Sequence, residues 1–235
     1  MKPIDFFTRF NSLSYKSINV DFHLHSTWTD GKSTIQEIVD TSNKKKINAI
    51  AITGHIRKDS TYFNNYEKEI KCINGSIDIS LYVGFEAKVL DFCGSIDVEK
   101  EIAERADVAI VSVHRFPLGS KLYKATEFKK EISQEIELEL SVAALNKGGF
   151  NVFGHAGGMS ETRFKGFPVN YYEEIIYQCV KNEIAFDLSG RYHIKKLSML
   201  YPLLKKHNPF ISVGSDSHNI SPIGKWNNQL IEYLL

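Results

Sequence analysis

Cysteine is scarce in this chain, net charge is almost absent, and no long apolar run occurs. Cys72, Cys93 and Cys179 are odd in number and form no Cys-x-x-Cys pair among 235 residues. That leaves no basis for a disulfide framework or a thiolate metal site, and it points to a reducing compartment with structural thiols. With 29 basic against 28 acidic residues the formal net charge is +1, so nothing global argues for a nucleic-acid surface or a membrane-binding face. Lys44-Lys45-Lys46 reads as a solvated helix end, where cations complement the helix dipole. The N-terminus lacks the apolar core of a signal peptide, and no segment approaches the length of a membrane span. The expectation is a soluble cytoplasmic protein. Linkers, repeats and low-complexity stretches are also missing, and 43% hydrophobic residues can build one sizeable core.

What is present is a regular alternation of patterns. Ile18, Val20, Phe22 and Leu24 predict a buried strand over 18–24. His23 and His25 lie two apart on it and project from one face. Before it, Phe6, Phe7, Phe10 and Leu13 predict an amphipathic helix within an N-terminal extension, 1–17, packed on the main domain, 18–235. Ser33 reads as the cap of the next helix, with Glu37 in its first turn. Further strands are expected at 47–52, 79–85, 107–113, 150–153, 184–188 and 210–213. Helices are expected at about 60–73, 98–105, 124–147, 169–181 and 193–206, with a short one in the tail, 222–235. Loops near 56–66, 87–97, 115–123 and 157–168 would shape any pocket.

Such alternation predicts an α/β fold with a parallel sheet. A barrel is favoured over an open sheet because of where the polar residues fall. Most predicted strands carry a His, Asp or Glu at or just past the C-terminal end, and in a parallel barrel those ends share one rim. An open sheet would gather such residues mainly at its switch point. In chain order they are His23, His25, Asp30, His55, Glu86, His114, His155, Asp216 and His218. Taken singly, each could be an ordinary loop residue. Taken together, six of the eight histidines at strand ends is not chance. One metal takes about four to six protein ligands, so this set implies two or three divalent metals sharing carboxylates. The other histidines, His193 and His207, are read as surface residues on a helix.

His23-x-His25, the Asp30-Gly31 turn, Thr53-Gly54-His55, Gly84-Phe85-Glu86, Ser112-Val113-His114, Gly154-His155 and Gly214-Ser215-Asp216-Ser217-His218 resemble the ordered motifs of the PHP (polymerase and histidinol phosphatase) superfamily. The likeness spans roughly residues 18–218 and looks like a histidinol-phosphatase-like stand-alone domain. It implies a single-domain, distorted (β/α)7 TIM-like barrel. It implies one metal on His23, His25, Glu86 and Asp216, a second on Glu86, His114 and His155, and a third on Asp30, His55 and His218. Two positions depart from the pattern. Gly54 stands where relatives usually have Asp, removing a possible partner near His55, and Ala156 follows His155 where Pro is common.

The chemistry so implied is phosphoester hydrolysis, with Zn, Mn or Fe lowering the pKa of bound water so that hydroxide attacks phosphorus. The substrate would be a small phosphomonoester: histidinol phosphate, a nucleotide or a sugar phosphate. Asp216 could also orient the attacking water. Arg191, at the end of the one predicted strand without a metal ligand, suits a bidentate grip on phosphate, with Arg115 a second candidate and Arg57 and Lys88 weaker ones. Two alternatives stand beside this reading. One is an amidohydrolase-like C–N hydrolase, which also opens with His-x-His but often bridges its metals through a modified lysine, for which Lys88 is the only nearby residue. The other is a non-catalytic metal-binding PHP module.

Overall fold

The short apolar runs become strands buried on both faces, and the amphipathic segments become the helices that cover them. A computed structural model describes residues 7–74, 79–119 and 121–235. In chain order these form β1 (Thr8–Arg9), α1 (Tyr15–Ile18), β2 (Val20–Leu24), α2 (Ile35–Lys44), β3 (Ala49–Ile52), α3 (Phe63–Asn74) and β4 (Ser80–Lys88). Next come α4 (Lys100–Arg105), β5 (Val108–Ser112), β6 (Phe116–Leu118), β7 (Lys121–Tyr123), α5 (Lys130–Lys147), β8 (Val152–Phe153) and α6 (Gly158–Phe164). The chain closes with α7 (Val169–Lys181), β9 (Ala185–Ser189), α8 (Leu197–His207), β10 (Phe210–Gly214) and α9 (Asn227–Leu234).

The architecture is mixed α/β around a sheet of order β1-β10-β9-β8-β5-β4-β3-β2. Every pairing from β2 through to β10 is parallel, and β1 adds antiparallel to β10. A parallel bridge joins Leu24 to Ser217, and the His25 amide donates to the Ser217 carbonyl at 2.9 Å. The end of β2 therefore runs beside the chain just past β10. The buried Asp21 carboxylate fastens the same seam, accepting from the amides of Ser215 at 2.9 Å and Gly224 at 3.1 Å.

Several expectations need correcting. Of the N-terminal helix, residues 1–6 lie outside the described residues, and Thr8–Arg9 form a strand because β10 offers them a free edge. The cap of α2 is Thr34 and not Ser33: the Thr34 hydroxyl accepts from the Glu37 amide at 3.2 Å, and the Glu37 carboxylate accepts from the Thr34 amide at 2.8 Å. This reciprocal pairing satisfies two donors at the helix start. The segment 115–123 contains the antiparallel hairpin β6–β7, and 157–168 contains α6. The helix expected from 124 starts as a 3-10 turn at Ala125–Glu127 and becomes α-helical only at Lys130. Cys72, Cys93 and Cys179 are free thiols. Among the described residues no helix is long and apolar enough to cross a membrane.

Candidate metal centre

Parallel pairing sends the C-terminal ends of β2, β3, β4, β5, β8 and β10 to one side, and the nine candidate side chains meet there. His23 lies on β2 and His25 just beyond it, both fully buried, with ring centroids 5.3 Å apart. Asp30 returns to His25 because the chain folds back through Gly31, whose amide donates to the Ser26 carbonyl at 3.1 Å. A Cβ on Gly31 would lie 2.2 Å from the His25 carbonyl oxygen, so only glycine permits this turn. His55 follows β3, and Glu86 lies inside β4, which runs further than the sequence pattern indicates. The Glu86 backbone is gripped on both sides, its amide by Gly54 at 3.0 Å and its carbonyl by Ile56 at 3.1 Å. His155 and Asp216 adopt positive φ, 27° and 54°. For non-glycine residues that costs on the order of 1–3 kcal/mol each, strain that concentrates at functional sites.

Glu86 is the hub. Its Oε1 lies 3.0 Å from His155 Nε2 and 3.2 Å from His114 Nε2. Its Oε2 lies 3.4 Å from His23 Nε2, 3.5 Å from His25 Nε2 and 3.3 Å from His55 Nδ1. The two oxygens thus face different sets of imidazoles. Asp216 Oδ1 is 3.4 Å from His25 Nε2 and 3.9 Å from His23 Nε2. On the outer side, Asp30 Oδ2 is 3.2 Å from His55 Nε2 and 3.3 Å from His218 Nε2, while Oδ1 is 3.5 Å from His25 Nδ1. Three overlapping groups of donor atoms emerge that could each hold a cation: His25, Asp30, His55 and His218; His23, His25 and Asp216; and His23, Glu86 and His155.

Hydrogen bonding does not account for this arrangement. Both nitrogens of His23 and of His25, with Nδ1 of His55 and of His114, are buried without a hydrogen-bond partner. Such groups are rare because each forfeits its hydration. Most of the carboxylate–imidazole separations exceed a good hydrogen bond. They match instead the spacing of about 3.3–3.4 Å between two ligands, each about 2.0–2.1 Å from a shared tetrahedral ion. The residues present therefore fit divalent metals.

Protonation agrees with that role for the two carboxylates and for His25 and His55. At His23 and His155 burial works downward, but Glu86 and Asp216 outweigh it and raise the pKa, so a metal would displace a proton there. For Glu86 burial works upward on the pKa, but His114 and His23 outweigh it and hold the carboxyl well below its usual range. Asp216 is likewise depressed: burial opposes, and the His25 contact with the charges of His23 and His155 prevails. Burial lowers His25, and lowers His55 to about 4, keeping both imidazoles neutral near pH 7. Charged carboxylates and neutral imidazoles are the forms that ligate.

The remaining candidates flank this cluster on a cleft of about 520 Å³. Arg191 Nη1 donates to Asp216 Oδ2 at 2.9 Å, and Tyr192 donates its hydroxyl to the same oxygen at 3.2 Å. Arg115 is exposed beside His114. Arg57 and Lys88 share Asp97, at 3.7 and 3.2 Å. Beside Gly54, a Cβ would meet Thr29 at 3.2 Å and the Tyr66 ring at 3.8 Å, so Thr29 and Tyr66 occupy the space where a carboxylate would have stood.

Sequence reasoning missed three supports. Asp187 on β9 accepts from the His155 amide at 3.0 Å, orienting that backbone, and its Oδ2 lies 3.5 Å from His23 Nδ1. Its signal was legible, since Phe186 and Leu188 alternate with it. His193 is fully buried and not a surface residue: it accepts from the Ser189 amide at 3.2 Å and donates to the Ala156 carbonyl at 2.9 Å, bracing the turn after His155. Glu137 on α5 accepts from the amides of Met159 at 3.0 Å and Ser160 at 2.9 Å, and from the Ser160 hydroxyl at 2.6 Å. It anchors the start of α6. His207 is half-buried against Glu173 at 3.0 Å.

Known proteins carry related chains. A "Probable phosphatase" of Clostridium botulinum (strain Langeland) is 26% identical over 220 residues, covering 88% of this chain and 82% of that protein. The DNA polymerase/3'-5' exonuclease PolX of Bacillus subtilis (strain 168) is 23% identical over 214 residues, covering 86% of this chain and 35% of the longer protein. Among solved structures, a histidinol phosphate phosphatase from Lactococcus lactis subsp. lactis, crystallised with zinc, L-histidinol and phosphate, superposes with a TM-score of 0.74 at 19% identity, covering 92% of this chain and 93% of that one. The family model described as the PHP domain matches residues 21–188, from His23 through β9, though not the Asp216 turn. On that match, with the imidazole and carboxylate cluster lying largely within it, the chain belongs to the PHP domain family.

Proposed function

We propose that the chain is a metal-dependent phosphoesterase acting on a small phosphomonoester, with a distorted (β/α)7 barrel as its scaffold. The observation that carries this reading is the division of Glu86, one oxygen toward His114 and His155, the other toward His23, His25 and His55. A bridging carboxylate has that shape. The barrel is supported by the Leu24–Ser217 bridge across the seam between β2 and β10.

His23, His25, Glu86 and Asp216 would hold one ion, Glu86, His114 and His155 a second, and Asp30, His55 and His218 a third. When bound, Zn, Mn or Fe would lower the pKa of water and offset the charge of the phosphoryl oxygens. The protein's own groups do the rest. Asp187 fixes the backbone of His155 and lies beside the ring of His23. Asp216 turns Oδ1 toward His25 and His23, and its Oδ2, held by Arg191 and Tyr192, would orient the attacking water. Arg191, half-exposed and already at the rim, can shift its guanidinium from Asp216 to the phosphoryl oxygens, and its contact strengthens as charge develops in the transition state. The C–N hydrolase alternative loses its bridging lysine, because Lys88 is ion-paired with Asp97.

The test is a phosphate-release screen over metabolite phosphomonoesters, with the protein reconstituted separately with Zn, Mn and Fe. Turnover of at least one ester with at least one metal is expected. No release with any metal, in protein verified to be folded and metal-loaded, would reduce the chain to a binding module.

A further inference from the structure

The cleft carries more positive charge than one phosphoryl group uses. Besides the candidate ligands, its titratable lining consists of Arg57, Lys88, Arg115, Arg163, Arg191 and Tyr192. Among the described residues its only carboxylates, Glu86 and Asp216, belong to the imidazole cluster. Three of the five cations already face an anion: Arg191 has Asp216, and Arg57 and Lys88 share Asp97. Arg115 and Arg163 do not. Both are exposed, and among the described residues neither forms an ion pair; Arg115 Nη1 only donates to the neighbouring His114 carbonyl at 3.2 Å.

Neither arginine is carried on a loose tether. Arg115 lies three residues past the buried end of β5 and precedes the buried Phe116 and Pro117 of the hairpin. Arg163 lies on α6, whose positions 159, 162 and 163 all line the cleft, as the spacing of one helical face requires. The Glu137 carboxylate holds the first turn of that helix through the Met159 and Ser160 amides. Apolar side chains of Val113, Leu122 and Met159 line the same cleft and suit the carbon skeleton of a leaving group.

We propose that Arg115 and Arg163 form a second anion subsite, so that the preferred substrate is a phosphomonoester whose leaving group carries a further anionic group, as in a bisphosphate or a phosphorylated acid. The proposal rests on the phosphoesterase reading above. A leaving group bearing an ammonium, such as histidinol, finds among the described residues no carboxylate in this lining outside the candidate metal ligands, and it meets two guanidiniums without an ion pair.

The experiment measures kcat/KM for phosphate release by the metal-reconstituted full chain on matched pairs. These are 3-phosphoglycerate against glycerol 3-phosphate, and a nucleoside 3',5'-bisphosphate against its 5'-monophosphate, with histidinol phosphate as the cationic comparison. The anionic member should be preferred by roughly three- to thirtyfold in at least one pair, the exposure of both guanidiniums limiting the effect. The preference should fall as salt rises. Arg115→Gln and Arg163→Gln should each reduce it, acting through KM more than kcat. Preference in the nucleotide pair alone assigns the subsite to phosphate, and preference in both pairs extends it to carboxylates. Equal rates within both pairs, or a preference that both variants leave intact, would overturn the subsite while the phosphoesterase reading stood. Failure to turn over any member of either pair would remove both.

Discussion

Replacing Glu86 with Gln tests the centre at its hub. The change keeps the shape of the side chain, removes one charge and converts one oxygen into a donor. Whichever way the amide turns, one set of imidazoles, His114 and His155 or His23, His25 and His55, then faces an NH2 group. A unit charge about 4 Å from a cation contributes on the order of 4 kcal/mol at an effective dielectric near 20, which corresponds to about three decades of affinity. Because ligation is closer than that, the figure is a lower limit at each of the two positions Glu86 serves. Asp30 is different: its side chain is 52% exposed, and it faces only the outer group of His25, His55 and His218. Elemental analysis after equilibration at equal free metal should show Glu86→Gln losing two ions and nearly all turnover. Asp30→Asn should lose at most one. Circular dichroism would confirm that both variants fold. Equal metal loss in the two variants would refute the bridging role of Glu86.

Three further outcomes follow from the same geometry. Reconstituted wild-type protein should hold two or three metals per chain, the outer one weakest because Asp30 is the most exposed of the candidate ligands; one ion or fewer by elemental analysis would contradict the assigned ligand sets. Arg191→Met should lower kcat/KM by roughly ten- to a hundredfold, the equivalent of a charged hydrogen bond of about 1.5–3 kcal/mol, with metal content unchanged, and Arg191→Lys should recover only part because it lacks the planar fork. Glu137 is fully buried and its pKa is raised to about 7 by that burial, so the folded protein keeps a proton that the unfolded chain loses from about pH 4.5 upward. The contribution of Glu137 to stability should therefore decline by up to about 3 kcal/mol as pH rises through that window. Glu137→Gln should flatten this decline while destabilising the protein by about 1–3 kcal/mol through a donor facing the Met159 or Ser160 amide. Urea titrations of wild type and Glu137→Gln across pH 4.5–7 would show both effects as the difference between the two proteins, because His25 and His55 titrate there with the opposite sign. A pH-independent difference would mean that Glu137 stays ionised.

The chain's local patterns were enough to place the strands and most of the donor atoms. A two-residue period puts His23 and His25 on one face whatever surrounds them, and parallel strands must send their ends to one side. The order of the motifs from His23 to His218 was legible for the same reason, since each lies within a few residues of a strand end. Tertiary structure decided what those donors face. Whether Glu86 serves one set of imidazoles or two depends on how β4 sits between β3 and β5. That register is set by backbone pairing with Gly54 and Ile56, far away in sequence. Asp187, His193 and Glu137 act through partners 22 to 37 residues distant, or further, such as the Ser160 amide, the Ala156 carbonyl and the His155 amide. A histidine on a short helical turn looks exposed until β9 and the turn after β8 close over it. The hairpin β6–β7 and the helix α6 were hidden as well, the first because Pro117 and Gly119 read as loop. The second was hidden because a seven-residue helix has little intrinsic stability of its own and depends on the carboxylate of Glu137 across the fold.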